Sequence, residues 1–287
     1  MLPLTVASIY GEGMNRTWLI TGTSAGFGPA LARAALTAGD NVVATARRVE
    51  SLDGLVNEHP GRALAVGLDV TDRAQIEAAV AAAIDRFGAI GVVVNNAGLA
   101  SVGAVEELQD ADLRSLMDTM YFGPIAMIQA VLPGMRARRT GTIVQMSSMG
   151  GQVSMPGFGA YCSAKFALEA LSEALAAELA PHGIRVLIVE PGAFATRFGG
   201  GRSQVSPDSG LYDETVGPQR AAVDAMDGSQ PGDPDKAAAA ILEALKAPDP
   251  PLRLALGSDA VTYIGSTLDA RRAELDAWVA LSRSTDR

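Results

Sequence analysis

The chain has a single cysteine, Cys162, in 287 residues, so no disulfide can close within it, and a reducing cytoplasm suits such a composition. No apolar run is long enough to cross a bilayer. The N-terminus lacks the basic region and long apolar stretch of a secretory leader. Positive charge is in deficit: 23 Lys and Arg stand against 32 Asp and Glu, a net charge of −9. That balance argues against nucleic acid or an anionic membrane surface as the main partner. There is no low-complexity tract, no repeat beyond an alternation of strands and helices, and no linker dividing two domains. With 48% hydrophobic residues, the chain has ample material for one core. Residues 1–13 show no clear periodicity and are expected to be a loose extension; residues 14–287 are expected to form one domain.

What is present centres on Ser147 to Lys165. An apolar run, Thr142 to Met146, delivers Ser147 and Ser148 to a strand end, a Gly- and Pro-containing loop follows, and a helix begins near Ala160. Tyr161 and Lys165 are four apart on that helix and share a face. A phenol beside an ammonium, with a strand-end hydroxyl nearby, is a plausible proton-transfer site. The ammonium is expected to stabilise phenolate and draw the phenol's pKa down.

Upstream, the strand Thr17 to Ile20 runs into a glycine turn whose candidate ligand contacts are Gly22, Thr23, Ser24, Gly26, Phe27 and Gly28. A helix from about Pro29 to Ala38 follows. Glycines let the backbone approach a ligand closely, and a helix N-terminus offers free N–H groups to phosphate. A glycine cluster alone is equally an ordinary strand-to-helix turn; between the first strand and first helix of an α/β pattern, the dinucleotide reading wins. The second strand, Asn41 to Thr45, ends at Ala46-Arg47-Arg48, where an acid would bind the ribose hydroxyls of NAD. There is no acid. Arg47 suits a 2′-phosphate instead, so the sequence leans towards NADP(H), with NAD(H) the second possibility; two solvated arginines at a loop edge are the plainer alternative.

A third strand, Ala63 to Leu68, leads to Asp69 and Val70 on the adenine side, and Asp72 is placed to start the helix Arg73 to Phe87. A fourth, Gly91 to Val94, delivers Asn95, Asn96, Ala97 and Gly98, which either line a cofactor cleft or satisfy turn backbone. Helix covers about Asp110 to Arg138, with Pro124 and Pro133 bending or bounding its parts. A sixth strand, Arg185 to Glu190, ends in Pro191-Gly192-Ala193-Phe194-Ala195-Thr196. Residues 197–233 are poor in periodicity and read as a substrate loop or lid. A helix over Asp233–Ala247, a strand over Leu252–Leu256 and a final helix from about Ala260 to Ser282 complete the pattern. Alternation of this kind implies a doubly wound, parallel sheet of about seven strands with helices on both faces, a Rossmann-type α/β fold with ligands at the strand C-termini.

In this order the motifs resemble the short-chain dehydrogenase/reductase superfamily, in its single-domain branch. The likeness rests on T-G-x-x-x-G-x-G at Thr21–Gly28, N-N-A-G at Asn95–Gly98, Y-x-x-x-K at Tyr161–Lys165, P-G at Pro191–Gly192, and Ser148 lying 13 residues before Tyr161. It is similar to bacterial general oxidoreductases and to steroid and retinol dehydrogenases. The resemblance implies hydride transfer between a nicotinamide and a carbonyl or secondary alcohol carbon. Tyr161 would be the general acid or base, Ser148 would orient the substrate oxygen, and Lys165 would bind the nicotinamide ribose. Thr196 would contact the carboxamide or phosphates, and the protein would be a homodimer or homotetramer.

The chain departs from the family at Met120, where an asparagine is expected that holds a helix distortion and a proton-relaying water. Methionine offers only a weak acceptor, so it either leaves the relay to backbone and water or simply packs in the core. An impaired, nucleotide-binding sensor is therefore the alternative to an enzyme. Met149, Met155, Phe158, Phe194 and Phe198 flank the expected cleft and suggest an apolar ketone or alcohol as substrate, unless they are core. Cys162 is expected to be a buried small residue facing away from Tyr161.

Overall fold

In the computed structural model the residues described are 15–196, 203–225 and 230–287; the expected extension at 1–13, and Phe198, lie outside them. Seven parallel strands form one sheet in the order β3-β2-β1-β4-β6-β7-β9. These are β1 (Thr17–Ile20), β2 (Asn41–Ala46), β3 (Ala63–Gly67), β4 (Val92–Asn95), β6 (Gly141–Met146), β7 (Ile184–Pro191) and β9 (Arg253–Leu256). The order reverses between β1 and β4, paired in the register Ile20–Val94. Loops leaving these two strands diverge to opposite sides and open the crevice that a doubly wound sheet offers to a ligand.

The strand sequences are apolar on both faces because both faces are covered. On one side Trp18, Ile20, Val42, Val94, Val144 and Val189 pack under α1 (Phe27–Thr37) and α8 (Pro234–Lys246). The alternate residues Leu19, Val43, Val93, Ile143 and Val186 pack under α3 (Arg73–Phe87), α5 (Gly123–Arg138) and part of α6 (Gly159–Leu179). Asp72 caps α3 as expected, its side chain accepting from Ala74 N and Gln75 N; caps of this kind contribute about 1 kcal/mol. Short α2 (Asp53–Glu58) joins β2 to β3.

Three segments differ from the sequence reading. The helical region after β4 is not continuous α-helix: α4 (Asp110–Met117) widens into one π turn at Asp118–Phe122 before α5. Pro133 sits inside α5 rather than ending it. The 197–233 stretch, expected to be irregular, contains β8 (Ser203–Val205) and α7 (Gly217–Ala225). Strand β8 pairs in parallel with β5 (Ala100–Val102), a strand the short run Ala-Ser-Val did not announce. The loop is further held by the ion pair of Arg220 Nη2 with Glu107 Oε2 at 2.9 Å and by Ser209 Oγ donating to Glu107 Oε1 at 2.6 Å.

The last helix, α9 (Ser258–Arg283), touches the body through its first turns, where Ala260 and Ile264 are buried. Its later turns carry Leu268, Leu275, Trp278 and Leu281 in the open. No helix among the described residues is long and apolar enough to cross a membrane.

Candidate active site

The glycine turn is shaped for close approach. Gly22 and Gly26 sit at φ of +68° and +66°, where a side chain is strained, and a Cβ on Gly28 would lie 2.5 Å from Gly22 O. Thr23 is buried, its hydroxyl donating to Ile20 O at 2.9 Å and accepting from Thr45 N at 3.2 Å, so it braces the turn. Gly26 precedes α1 with no side-chain cap, and the first turn has no acidic residue. The first N–H groups of α1 are thus left for an anion, at the positive end of the helix dipole. A groove of about 450 Å³ opens there beside Ser24, Ala25, Gly26, Arg33 and Thr196. This cradle fits a dinucleotide pyrophosphate. Phe27 meets the Phe194 ring at a tilt of 60°, with centroids 5.1 Å apart.

Asn96, expected either to line the cleft or to satisfy turn backbone, fastens the second arm of the crevice to the first. Its Nδ2 donates to Thr21 O at 2.8 Å and Gly22 O at 3.1 Å, while Asn96 N and Ala97 N both donate to Thr21 Oγ1. Asn95 is buried instead, with its amide donating to Gln145 Oε1 at 2.8 Å; its side chain faces the sheet and not the crevice. Gly98 is exposed at the crevice side. On the adenine side, Asp69 accepts from Thr71 N and Thr71 Oγ1 at 3.0 and 2.7 Å, and Val70 is buried next to it. Arg47 is exposed just past β2.

Strand β7 ends at buried Pro191, and Gly192 begins a loop held from α9, with Ala193 N donating to Asp259 Oδ2 at 2.7 Å. A Cβ on Gly192 would overlap that carboxylate. Thr196 faces Gly26 across the groove: a Cβ on Gly26 would lie 3.6 Å from the threonine Cβ. Phe194, expected at the substrate cleft, belongs to the core on the α1 and α8 side. Its ring crosses Gly232 so closely that a Cβ there would lie 2.5 Å away. Met149, Met155 and Phe158 are half-buried around the loop between β6 and α6.

The proton-transfer candidates meet where β6 and α6 converge. Ser148 leaves β6 in extended backbone, accepts from Gly150 N at 3.0 Å and donates to Pro191 O at 3.4 Å. The Tyr161 and Ser148 side chains hydrogen-bond each other. Lys165, one turn along, is buried, donates from Nζ to Met146 O at 2.7 Å and lies 5.8 Å from the Tyr161 ring centre. Burial pushes the Lys165 ammonium down to about 8, partly opposed by Glu169. Burial pushes the Tyr161 phenol up, opposed by the Ser148 hydrogen bond. The expected lowering of the phenol is therefore not found: both groups are out of water, and desolvation favours the neutral form of each.

Met120 occupies the π turn, 1% exposed, clustered with Leu116, Ala160 and Ala164. The helix distortion exists here without an asparagine, and the methionine is core. Cys162 is buried too, with its thiol raised by burial. It is not remote from the tyrosine loop, since a Cβ on Gly150 would lie 3.3 Å from Cys162 Sγ and 3.2 Å from Tyr161 Cε1.

The family model for short chain dehydrogenases matches residues 16–205. The chain belongs to the short-chain dehydrogenase family. Among curated members, Oxidoreductase BOA17 of Botryotinia fuckeliana (strain B05.10) is 41% identical over 270 residues, 94% of this chain and 98% of that one. The crystal structure of a short-chain dehydrogenase from Streptomyces avermitilis superposes with a TM-score of 0.91 at 52% identity, covering 96% of this chain and 99% of that one. A short-chain dehydrogenase from Burkholderia cenocepacia J2315, solved in complex with NADP, gives a TM-score of 0.71 at 28% identity, covering 92% and 96%. A 3-ketoacyl-(acyl-carrier-protein) reductase from Brucella melitensis, solved in complex with NADH, gives a TM-score of 0.70 at 26% identity, covering 84% and 96%. Family membership makes the chain an oxidoreductase with a Rossmann-type fold, and the nicotinamide cofactors of its solved relatives suit the cradle described above.

Proposed function

We propose that this family member is a carbonyl reductase or alcohol dehydrogenase that prefers NADP(H) over NAD(H) and acts on an apolar ketone or secondary alcohol. The observation that carries the reading is the Tyr161–Ser148 hydroxyl pair with Lys165 buried one turn away, next to a glycine cradle shaped for pyrophosphate. When bound, the cofactor supplies or accepts the hydride. Tyr161 gives its phenolic proton to the forming alkoxide in reduction, or takes it from the alcohol in oxidation. A positioned acid or base of this kind contributes roughly 10²–10⁴-fold in rate. Ser148 orients the substrate oxygen from the other side. Lys165 binds the nicotinamide ribose hydroxyls and, while protonated, stabilises phenolate.

Gly22, Ser24, Gly26 and Gly28 receive the pyrophosphate with Thr196 opposite, and Arg47 takes the 2′-phosphate. Asp69 and Val70 face the adenine, and Ala97, Gly98, Pro191 and Gly192 border the nicotinamide half. The half-buried Met149, Met155 and Phe158 give the substrate side its apolar character. A cytoplasmic setting suits the single cysteine, and the exposed apolar turns of α9 favour a homodimer or homotetramer.

The test is a panel of ketones and alcohols with NADPH and NADH, run beside Tyr161→Phe. Turnover lost in the variant with cofactor binding kept is the expected result; a variant with undiminished turnover would remove Tyr161 from the mechanism. The second reading, a nucleotide-binding sensor, rests on Met120 filling the relay position. Tight cofactor binding with no turnover across the panel would favour it.

A further inference from the structure

A buried polar cluster lies directly behind the candidate site, and the proposed chemistry does not use it. Glu169 follows Lys165 by one turn of α6. Its Oε1 accepts from Ser147 Oγ at 2.5 Å, and Ser147 is the neighbour of Ser148. Its Oε2 accepts from Gln152 Nε2 and faces Arg253 Nε at 3.4 Å. Glu190, at the end of β7 beside Pro191, faces the same guanidinium at 3.5 Å. Both carboxylates are 3% exposed. Arg253 is also shared with exposed Glu173 at 3.0 Å, and the other nearby cation, Lys165, is directed at Met146 O. Glu190 Oε1 is buried with no hydrogen-bond partner, so two buried carboxyl groups converge on one guanidinium.

Two buried carboxyl groups facing one partly solvated guanidinium repel when both are ionised, and a single proton held by one of them relieves that repulsion. We propose that Glu169 is a positioning residue of the candidate active site, working as one half of a carboxyl pair with Glu190 that shares a single proton. The inference rests on the reading of Ser148, Tyr161 and Lys165 given above. With the proton in place, Glu169 holds Ser147 on one oxygen and Gln152 on the other. When the proton leaves, two buried anions compete for one partly solvated guanidinium, and their repulsion loosens Glu169 from Ser147. Gly151 leaves no room for an easy adjustment, since a Cβ there would overlap Glu169 Oε1 and lie 2.5 Å from Ser147 Oγ. Movement of Glu169 therefore reaches the site by two short routes: through Ser147 to Ser148, and along one helical turn to Lys165.

Burial, with Glu169 beside it, pushes the Glu190 carboxyl up to about 7, which fixes the window. The groups facing Glu190 are Glu169, Arg253 and Gln152; those facing Glu169 add Ser147 and Lys165. A carboxyl whose folded pKa is raised binds more protons in the folded state, so its contribution to stability declines as pH rises from about 4.5 to about 7.

The isosteric Glu190→Gln carries the test, because Glu169→Ala strips partners from several buried groups and endangers the fold. Tm and the NADPH dissociation constant are measured for both proteins at intervals from about pH 5 to about pH 7.5, below the Lys165 window. The expected result is a wild-type Tm that falls across the range relative to the variant. The wild-type dissociation constant should rise at least about threefold more than that of the variant across the same range. Superimposable pH profiles in both measurements would overturn the pair. A Tm difference without an affinity difference would overturn the positioning role. A full pH difference with no turnover on any ketone or alcohol supports the pair and counts only against the chemistry assigned to Tyr161.

Discussion

Lys165 Nζ donates to Met146 O at 2.7 Å, so the last carbonyl of β6 fixes the ammonium below the tyrosine. Burial pushes the ammonium down to about 8, and the nearby Glu169 carboxylate offsets only part of that. In the proposed reduction the charged form of Lys165 assists Tyr161. Turnover in the reductive direction is expected to decline as pH rises through about 8, and Lys165→Met should abolish that limb along with most activity. A rate profile flat from about pH 6 to about pH 9.5 would contradict the assignment. The stability sign is opposite to that of a raised carboxyl: a depressed folded lysine makes the unfolded chain the better proton binder between about 8 and 10.5, so stability rises with pH there.

Met120→Asn is expected to destabilise the protein without a large gain in rate. The π turn at Asp118–Phe122 is present with methionine in it, and the side chain is sealed among Leu116, Ala160 and Ala164. An amide placed there loses apolar packing and leaves donors unsatisfied, at a cost of about 1–3 kcal/mol. Thermal melts and steady-state rates check both halves. A tenfold faster variant would mean that the amide limits proton relay after all.

The seven-stranded sheet and the Tyr161–Lys165 face were legible because each is local: strands announce themselves by apolar runs, and a four-residue spacing fixes a helix face. What could not be read was set by distant contacts. The run Ala100–Val102 becomes a strand only because Ser203–Val205 arrives beside it. The role of Glu169 is set by Ser147 and Arg253, which close around it from other elements, with Glu190 on the same guanidinium. Of two adjacent asparagines, only the folded turn shows that Asn95 faces Gln145 and Asn96 the glycine loop. The direction of the Tyr161 shift also escaped the spacing argument, since burial decides it and spacing reports only proximity.

Gly28→Ala is expected to damage cofactor binding first and stability second. The added Cβ would lie 2.5 Å from Gly22 O and 2.7 Å from Thr23 Cα. Both are backbone atoms of a turn pinned to Thr45 and, through Thr21, to Asn96 and Ala97. Relief requires the whole turn to move away from the N-terminus of α1. NADPH affinity measured by fluorescence should weaken at least about tenfold, a loss of about 1.4 kcal/mol, with a Tm lowered by a few degrees. Unchanged affinity would show that the pyrophosphate does not use this turn.

Arg47→Asp tests the cofactor preference. Arg47 is exposed just beyond the end of β2, where the second strand of this fold meets the adenosine ribose. A guanidinium bound to a 2′-phosphate gains a charge-assisted hydrogen bond of about 1.5–3 kcal/mol, equivalent to roughly 10–100-fold in affinity. Aspartate at the same place repels the phosphate and can accept from both ribose hydroxyls of the unphosphorylated cofactor. The ratio of kcat/KM with NADPH to that with NADH should therefore fall by at least about tenfold. Because the site is open to solvent, the wild-type preference should also shrink as salt is raised, while that of the variant changes little. Neighbouring Arg48 is exposed as well, and a preference that moves only when Arg48 is replaced would transfer the role to it.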